Sequence, residues 1–232
     1  MASKVTAIVL AAGKGSRMNS DIPKQYLALL GKPVLFYCLK AFEESNVDEI
    51  ILVTGSGEQE YCKKEIIEKY QIKKVEHIIE GGTERYHSVH RGLKEAKEAA
   101  YVLIHDGARP LVSTKIINKA IEAVKENGAC VVGMPVKDTI QFVNDDNSIH
   151  STPERRYTWI AQTPQCFEYE LALCSYNKAI ECKDDQITDD AMVAKRYGNA
   201  RITMIEGSYE NIKVTTPEDI AVAECFLKMR HL

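Results

Sequence analysis

The chain has 232 residues, 45% hydrophobic and 27% charged, with a formal net charge of −3; this suffices for one substantial core, while the interspersed acids and bases exclude a nucleic-acid footprint. Seven cysteines without any Cys-x-x-Cys pair suggest neither a zinc site nor a disulfide framework and read as reduced, mostly buried thiols. No apolar run approaches the ~20 residues that span a bilayer, and Met1-Ala-Ser-Lys4 is too short and polar for a signal peptide, so a cytoplasmic protein is expected.

Val5 to Leu10 is an apolar run that opens into Leu10-Ala-Ala-Gly-Lys-Gly-Ser-Arg-Met18 and then Pro23-Lys24-Gln25, the pattern of a buried strand followed by a loop. Gly13 and Gly15 allow backbone N–H groups to approach an anion, and Lys14, Arg17 and Lys24 supply positive charge against one acid, Asp21. A polyphosphate suits such a loop; a glycine turn with solvated bases is the plainer alternative. A dinucleotide fingerprint would need glycine at Met18, and a Walker A loop would need it at Ile8, so neither applies.

Pro33 stands where a helix begins, with Leu35, Leu39 and Phe42 at helical spacing. Glu49–Thr54 reads as a buried strand, Glu58–Tyr70 as helical and Val75–Ile79 as a short strand. After Gly81-Gly82 come a helix over about Glu84–Ala99, the strand Tyr101–His105, a helix over Thr114–Glu126 and the strand Ala129–Gly133. Strand–helix alternation with near-continuous apolar strands predicts an α/β, Rossmann-like fold, a mostly parallel sheet with helices on both faces. Loops following its strands, among them Gly81-Gly82 and Asp106-Gly-Ala-Arg-Pro110, are expected along one sheet edge, where such folds bind ligands.

From Lys137 the pattern changes. Asp138–Val143 and Ser148–Thr152 flank the turn-rich Asn144-Asp-Asp-Asn147, which predicts a protruding β-hairpin arm too polar to bury much of itself alone. Phe167–Cys182 is helical in pattern, Thr188-Asp-Asp190 opens a helix through Tyr197, and Arg201–Ile205 reads as a strand. Asn211–Val214 reads as a short strand carrying Lys213, and Thr216-Pro217-Glu218-Asp219 marks the start of the last helix. The chain is expected to form a single domain over 1–232, with its arm at about 137–158.

Asp106 and Arg109 occupy one short turn. The carboxylate suits a divalent cation on a phosphate and the arginine a second phosphate, or the two neutralise each other. Lys213 suits a phosphate as a point charge or is a surface lysine. His105 reads as the polar end of a strand rather than a general base, and neither Gly-x-Ser-x-Gly nor a histidine metal spacing occurs.

Together, the segments LAAGKGSRM, PKQY, GGTERYHSV, VLIHDGARP, PVKDTI, IAQTPQ, ITDDA and NIKVTTPEDI resemble, in order and over nearly the whole chain, the motifs of the 2-C-methyl-D-erythritol 4-phosphate cytidylyltransferase family. Ribitol-5-phosphate cytidylyltransferases share the opening loop, Thr-Pro-Gln and Asn-Ile-Lys-Val-Thr. They typically carry valine and a following Phe in the Asp-x-x-Arg-Pro turn, which here is Asp106-Gly-Ala-Arg-Pro-Leu111; Ile187–Ala191 also sides with the erythritol family.

The resemblance implies transfer of CMP from CTP to methylerythritol phosphate, with release of pyrophosphate, in the non-mevalonate route to isoprenoids. It implies Mg2+ or another divalent cation near Asp106, and catalytic roles for Arg17, Lys24 and Lys213. Ala11, Ala12, Gly82 and Ser88 match the cytosine and ribose pocket beside the loop glycines Gly13 and Gly15, while Thr83 departs from the aspartate of some relatives. Arg109, Thr139, Arg155 and Thr188, with Asp106, match contacts to the acceptor. The family's arm is exchanged between two subunits, which implies a homodimer with composite sites. A catalytically silent nucleotide-binding protein is the reading of another class, opposed by the intact set Arg17, Lys24, Asp106, Arg109 and Lys213. The location implied is the cytoplasm, or the plastid stroma in a plastid-bearing organism, and a fused next-step enzyme is not expected.

Overall fold

The computed structural model describes residues 3–230 apart from 14, 19, 21 and 185; Lys14 and Asp21, counted above among the loop charges, thus lie outside the described residues. The elements are β1 Val5–Ala11, β2 Ala28–Leu29, β3 Lys32–Pro33, α1 Val34–Glu43, β4 Glu49–Thr54, α2 Gln59–Cys62 with a π-helical continuation Lys63–Glu68, and β5 Val75–Glu80. They continue with α3 Arg85–Glu95, β6 Tyr101–Asp106, α4 Thr114–Asn127, β7 Ala129–Pro135, β8 Phe142–Val143, β9 Ile149–Ser151 and β10 Trp159–Glu168. The last are α5 Tyr169–Cys182, α6 Asp190–Gly198, β11 Thr203–Glu206 and α7 Pro217–Arg230.

Among the described residues the main sheet has seven strands in the order β11-β7-β10-β6-β1-β4-β5. Its neighbours pair in parallel except where β10 lies antiparallel between β6 and β7. Strands sandwiched between helix layers need apolar residues on both faces, and β4 accordingly is buried at all six positions. One face packs under α1, α2 and α4 through Leu35, Leu39, Phe42, Cys62, Ile117 and Val124. The other packs under α3, α5 and α6 through Val89, Leu93, Phe167, Tyr176 and Val193. A third cluster joins Met18, Leu29, Val34, Leu111 and Val214 to Ala223 and Leu227 of α7, seating the C-terminal helix beside the first loop.

This is the expected α/β architecture. The chain runs outward from β1 through β4 to β5, then crosses back to β6 on the other side of β1. The crevice at that reversal is where an open α/β sheet presents the carboxyl ends of its strands to a ligand. Register places Leu10 of β1 beside Asp106 of β6, so the first loop and the Asp106 turn leave the sheet side by side.

Four local expectations are corrected. Phe167 and Glu168 end β10 instead of starting a helix, because Phe167 pairs with Val102 on one side and Ala129 on the other. Lys213 lies in irregular backbone, held where Val214 N donates to Ala108 O at 2.8 Å. Thr188 precedes the cap of α6, which is Asp189, whose side chain accepts from Met192 N. In the arm only Phe142–Val143 and Ile149–Ser151 pair, closed by a turn with Asn147 at φ 64°; with both faces exposed, nothing there extends the ladder. Cys38, Cys62, Cys130 and Cys166 are buried and Cys174, Cys182 and Cys225 exposed, all as free thiols. No described helix is long and apolar enough to cross a membrane.

Candidate active site

A cavity of about 1010 Å3 opens at the carboxyl edge of the sheet. Its walls are built by the end of β1 and the loop after it (Ala11, Ala12, Gly13, Lys24), the loop after β4 (Gly55, Ser56, Glu58), the Gly81–Glu84 turn with Arg85 and Ser88 of α3, and Asp106 with Lys213. The first loop is tied down through buried Gln25, whose Nε2 donates to Ala11 O at 2.7 Å. It is tied again through Tyr26, whose hydroxyl donates to Glu58 Oε2 at 2.7 Å, while the same carboxylate accepts from Gly55 N.

Gly15 adopts φ +64°, the left-handed region open to glycine at no steric cost, and a Cβ there would lie 3.2 Å from Lys24 Cγ. The glycine thus allows the Lys24 stem to lie against the loop. At the opposite wall, a Cβ on Gly81 would lie 2.5 Å from Ala12 Cβ, and one on Gly82 would lie 2.3 Å from His87 Cβ. That wall is compact because two backbones and the start of α3 meet there. Ser88 Oγ accepts from Gly82 N at 3.0 Å, and Thr83 Oγ1 lies 3.0 Å from His87 Nδ1.

Asp106 is the electrostatic centre. Its Oδ2 lies 2.9 Å from Lys213 Nζ and 3.9 Å from Arg109 Nε, and its Oδ1 lies 3.2 Å from Arg85 Nε. Burial pushes this carboxyl upward, but Arg85, Lys213 and Arg109 outweigh burial and hold it well below the usual carboxylate range. Lys24 shows the converse: burial, with Lys213 and Arg17 nearby, lowers its ammonium to about 8 against the pull of Asp106 and Asp219. His105 is wholly buried beside Thr163, and burial lowers it to about 3, so it is a neutral core residue at physiological pH. The deep end of the site is therefore a cluster of cations, Arg85, Lys213, Arg109 and Lys24, around the ionised Asp106 carboxylate.

The predicted residues divide by place. Ala11, Ala12, Gly13, Lys24, Gly82, Thr83, Ser88, Asp106 and Lys213 line the cavity together. Arg17 is exposed on a single 3-10 turn, Ser16–Met18, near enough to depress Lys24. Arg109 spends its Nη1 on Asn211 O at 2.7 Å. Thr188 is exposed just before α6. Thr139 and Arg155 lie apart, in a hollow of about 240 Å3 at the base of the arm, where Arg155 Nη2 donates to Thr139 Oγ1 at 2.9 Å.

Sequence reading passed over Arg85, Asp190, Thr163 and Gln165. Thr163 Oγ1 accepts from Asp106 N at 3.2 Å, and Gln165 Oε1 accepts from Ala191 N at 2.8 Å, so β10 braces both the Asp106 turn and the start of α6. These residues lie within the family-like segments, but nothing local announces a part-buried ion pair whose partners are 105 residues apart.

The model of the family described as "IspD: 2-C-methyl-D-erythritol 4-phosphate cytidylyltransferase" matches residues 5–229. A protein of that name from Lachnoclostridium phytofermentans is 50% identical over 225 residues, covering 97% of each chain. Another from Alkaliphilus oremlandii is 50% identical over 230 residues, 98% of this chain and 97% of the relative. The crystal structure of 4-diphosphocytidyl-2C-methyl-D-erythritol synthase from Anaerococcus prevotii superposes with a TM-score of 0.86 at 33% identity, covering 97% of this chain and 96% of that one. The 2-C-methyl-D-erythritol 4-phosphate cytidylyltransferase structure from Thermus thermophilus gives 0.78 at 27% identity, covering 95% and 98%. A cation-lined cavity at the switch point of an α/β sheet, full-length matches to this one family and a shared fold lead to one assignment: the chain belongs to the 2-C-methyl-D-erythritol 4-phosphate cytidylyltransferase family.

Proposed function

We propose that this chain transfers CMP from CTP to 2-C-methyl-D-erythritol 4-phosphate, giving 4-diphosphocytidyl-2-C-methyl-D-erythritol and pyrophosphate. The observation that carries the mechanism is the convergence of Lys24 and Lys213 beside ionised Asp106 in one cavity. A phosphate oxygen of the acceptor forms a new bond to the α-phosphorus of CTP. The bond from that phosphorus to the bridging oxygen breaks, and its electron pair leaves with pyrophosphate. The nucleophile is already an anion at neutral pH, which agrees with His105, next to Asp106 on β6, being a neutral core residue rather than a general base. What remains for the protein is alignment and neutralisation of gathering negative charge, the two effects that contribute most to phosphoryl-type transfer. Lys24, Lys213 and Arg17 take that role, with Gly13 and Gly15 shaping the loop around the triphosphate.

Ala11, Ala12, Gly82 and Ser88 would bound the base and ribose along the compact glycine wall. Thr83 stands at its rim. A Mg2+ ion, or another divalent cation, fits Asp106: Mg2+ is commonly held by one or two carboxylates together with substrate phosphates and water, and this carboxylate is ionised and faces the cavity. When bound, the cation would withdraw charge from the phosphate oxygens. Lys213 Nζ shares this carboxylate at 2.9 Å.

The acceptor side brings in Arg109, Thr188, Thr139 and Arg155. The last two belong to the arm, whose Phe142, Val143, Ile149 and Tyr157 are all more than half exposed on a hairpin too small to be stable alone. We assign the arm to a second copy of the chain, so that Thr139 and Arg155 complete the partner's site in a homodimer. The bacterial relatives support a cytoplasmic enzyme. Pyrophosphate release with CTP and Mg2+, comparing methylerythritol phosphate with ribitol phosphate, tests the function. Release with the ribitol compound alone, or with neither, would refute it.

A further inference from the structure

Asp106 is joined to a second buried acid by one arginine. Arg85, the first residue of α3, directs Nη1 to Asp190 Oδ1 at 2.6 Å and Nη2 to Asp190 Oδ2 at 2.8 Å, leaving Nε for Asp106 Oδ1 at 3.2 Å. Asp190, the first residue of α6, is fully buried and also accepts the Tyr176 hydroxyl from α5 at 2.5 Å. Around it, Gln165 of β10 accepts from Ala191 N and donates to Asp189 at 3.3 Å, and Asp189 caps α6. Thr188, two residues before Asp190, shares this anchored turn.

The arrangement has two consequences for Asp106. Its two oxygens are each engaged by a different cation, Oδ1 by Arg85 and Oδ2 by Lys213, so the carboxylate plane cannot turn without breaking a charged contact. Asp190 meanwhile balances the guanidinium with a bidentate pair, so Arg85 orients Asp106 without claiming all of its charge. A pair that served packing alone would be closed on itself, since apolar residues often replace buried ion pairs at no loss. This pair instead lends its remaining donor to the acid of the cavity, and Arg85 itself lines that cavity.

We propose that Arg85, backed by Asp190, is a positioning residue that fixes the direction of the Asp106 carboxylate and ties it to the Thr188 turn. The nucleotide side and the acceptor side of the cavity are thereby assembled as one unit. The inference rests on the function proposed above for its meaning in turnover, but its binding readout does not require turnover.

The test is a double-mutant cycle between Arg85→Lys, which keeps the charge and loses the fork, and Asp106→Asn. In the Asp106 background Arg85→Lys should lower kcat by roughly 10- to 100-fold, the scale of a misaligned reacting group, and raise KM for the polyol phosphate more than KM for CTP. In the Asp106→Asn background the same substitution should change little. CTP binding measured by calorimetry in metal-free buffer should show the same non-additivity, with the double variant binding as Asp106→Asn does. Additive effects in both measurements, or wild-type kinetics and binding for a folded Arg85→Lys protein, would overturn the proposal. Should circular dichroism show Arg85→Lys unfolded, Asp190→Asn takes its place in the cycle and carries the same expectation. A wild-type protein that binds CTP but releases no pyrophosphate would count against the function above, whereas additive binding effects would count against the role of Arg85.

Discussion

Raising the pH through about 8 should switch off Lys24. Its ammonium is lowered from 10.5 to about 8, first by burial and then by Lys213 and Arg17, with Asp106 and Asp219 pulling the other way. At pH 9 the free enzyme would then carry this charge in only about one molecule in ten. If the protonated lysine grips the triphosphate, kcat/KM for CTP should be near its plateau at pH 7, about half of it at pH 8, and approach a fall of about tenfold per unit above pH 9, because kcat/KM reports groups of the free enzyme. The acceptor's phosphate, with a second pKa of about 6, only gains negative charge over this range and does not share the fall. A bound triphosphate favours the ammonium, so the break in kcat should lie higher than the break in kcat/KM. Lys24→Arg cannot titrate in this range and should abolish the fall, whatever it does to the absolute rate. Stability should move oppositely: the unfolded chain binds the proton up to 10.5 and the folded one only to about 8, so this group's contribution improves as pH rises through that window. Steady-state kinetics from pH 7 to 9.5 decide the matter. A level kcat/KM to pH 9.5, or the same fall in Lys24→Arg, would refute a charged Lys24 as the triphosphate ligand.

Other perturbations separate the remaining roles. Lys213→Ala and Arg17→Ala should each lower turnover by about 10²- to 10³-fold, the scale for losing one transition-state stabiliser, and near-wild-type rates at saturating CTP would remove that residue from the mechanism. Arg155→Ala should raise KM for the polyol phosphate and leave KM for CTP little changed; unchanged kinetics would make the arm structural only. Sedimentation should find a dimer, and a fully active monomer would refute the exchanged arm.

What stands beside each titratable group decides its charge. Asp106 stays ionised because three cations outweigh its burial, while His105, one residue earlier on the same strand, is neutral because burial prevails over its single acid neighbour. Adjacent positions of β6 thus reach opposite charge states: side chains alternate across a strand, so one faces the cavity and the other sits beside Thr163 and Phe42.

The sequence alone determined the strand–helix alternation, the mostly parallel sheet and the clustering of glycines and bases in the opening loop, because apolar runs, helical spacing and glycine–base clusters are local patterns. It also placed Asp106, Gly82 and the first loop on one edge, since in such a sheet every loop that follows a parallel strand leaves from the same side. Only the tertiary structure decided that β10 inserts antiparallel between β6 and β7, turning Phe167 from a helix position into a strand position buried on both sides. It alone converted Lys213 from an expected strand residue into the loop partner of Asp106. It alone revealed Arg85 bridging Asp106 and Asp190. Those outcomes depend on which distant segments meet and on how burial balances charge once they do, and neither quantity has a short-range trace in the chain.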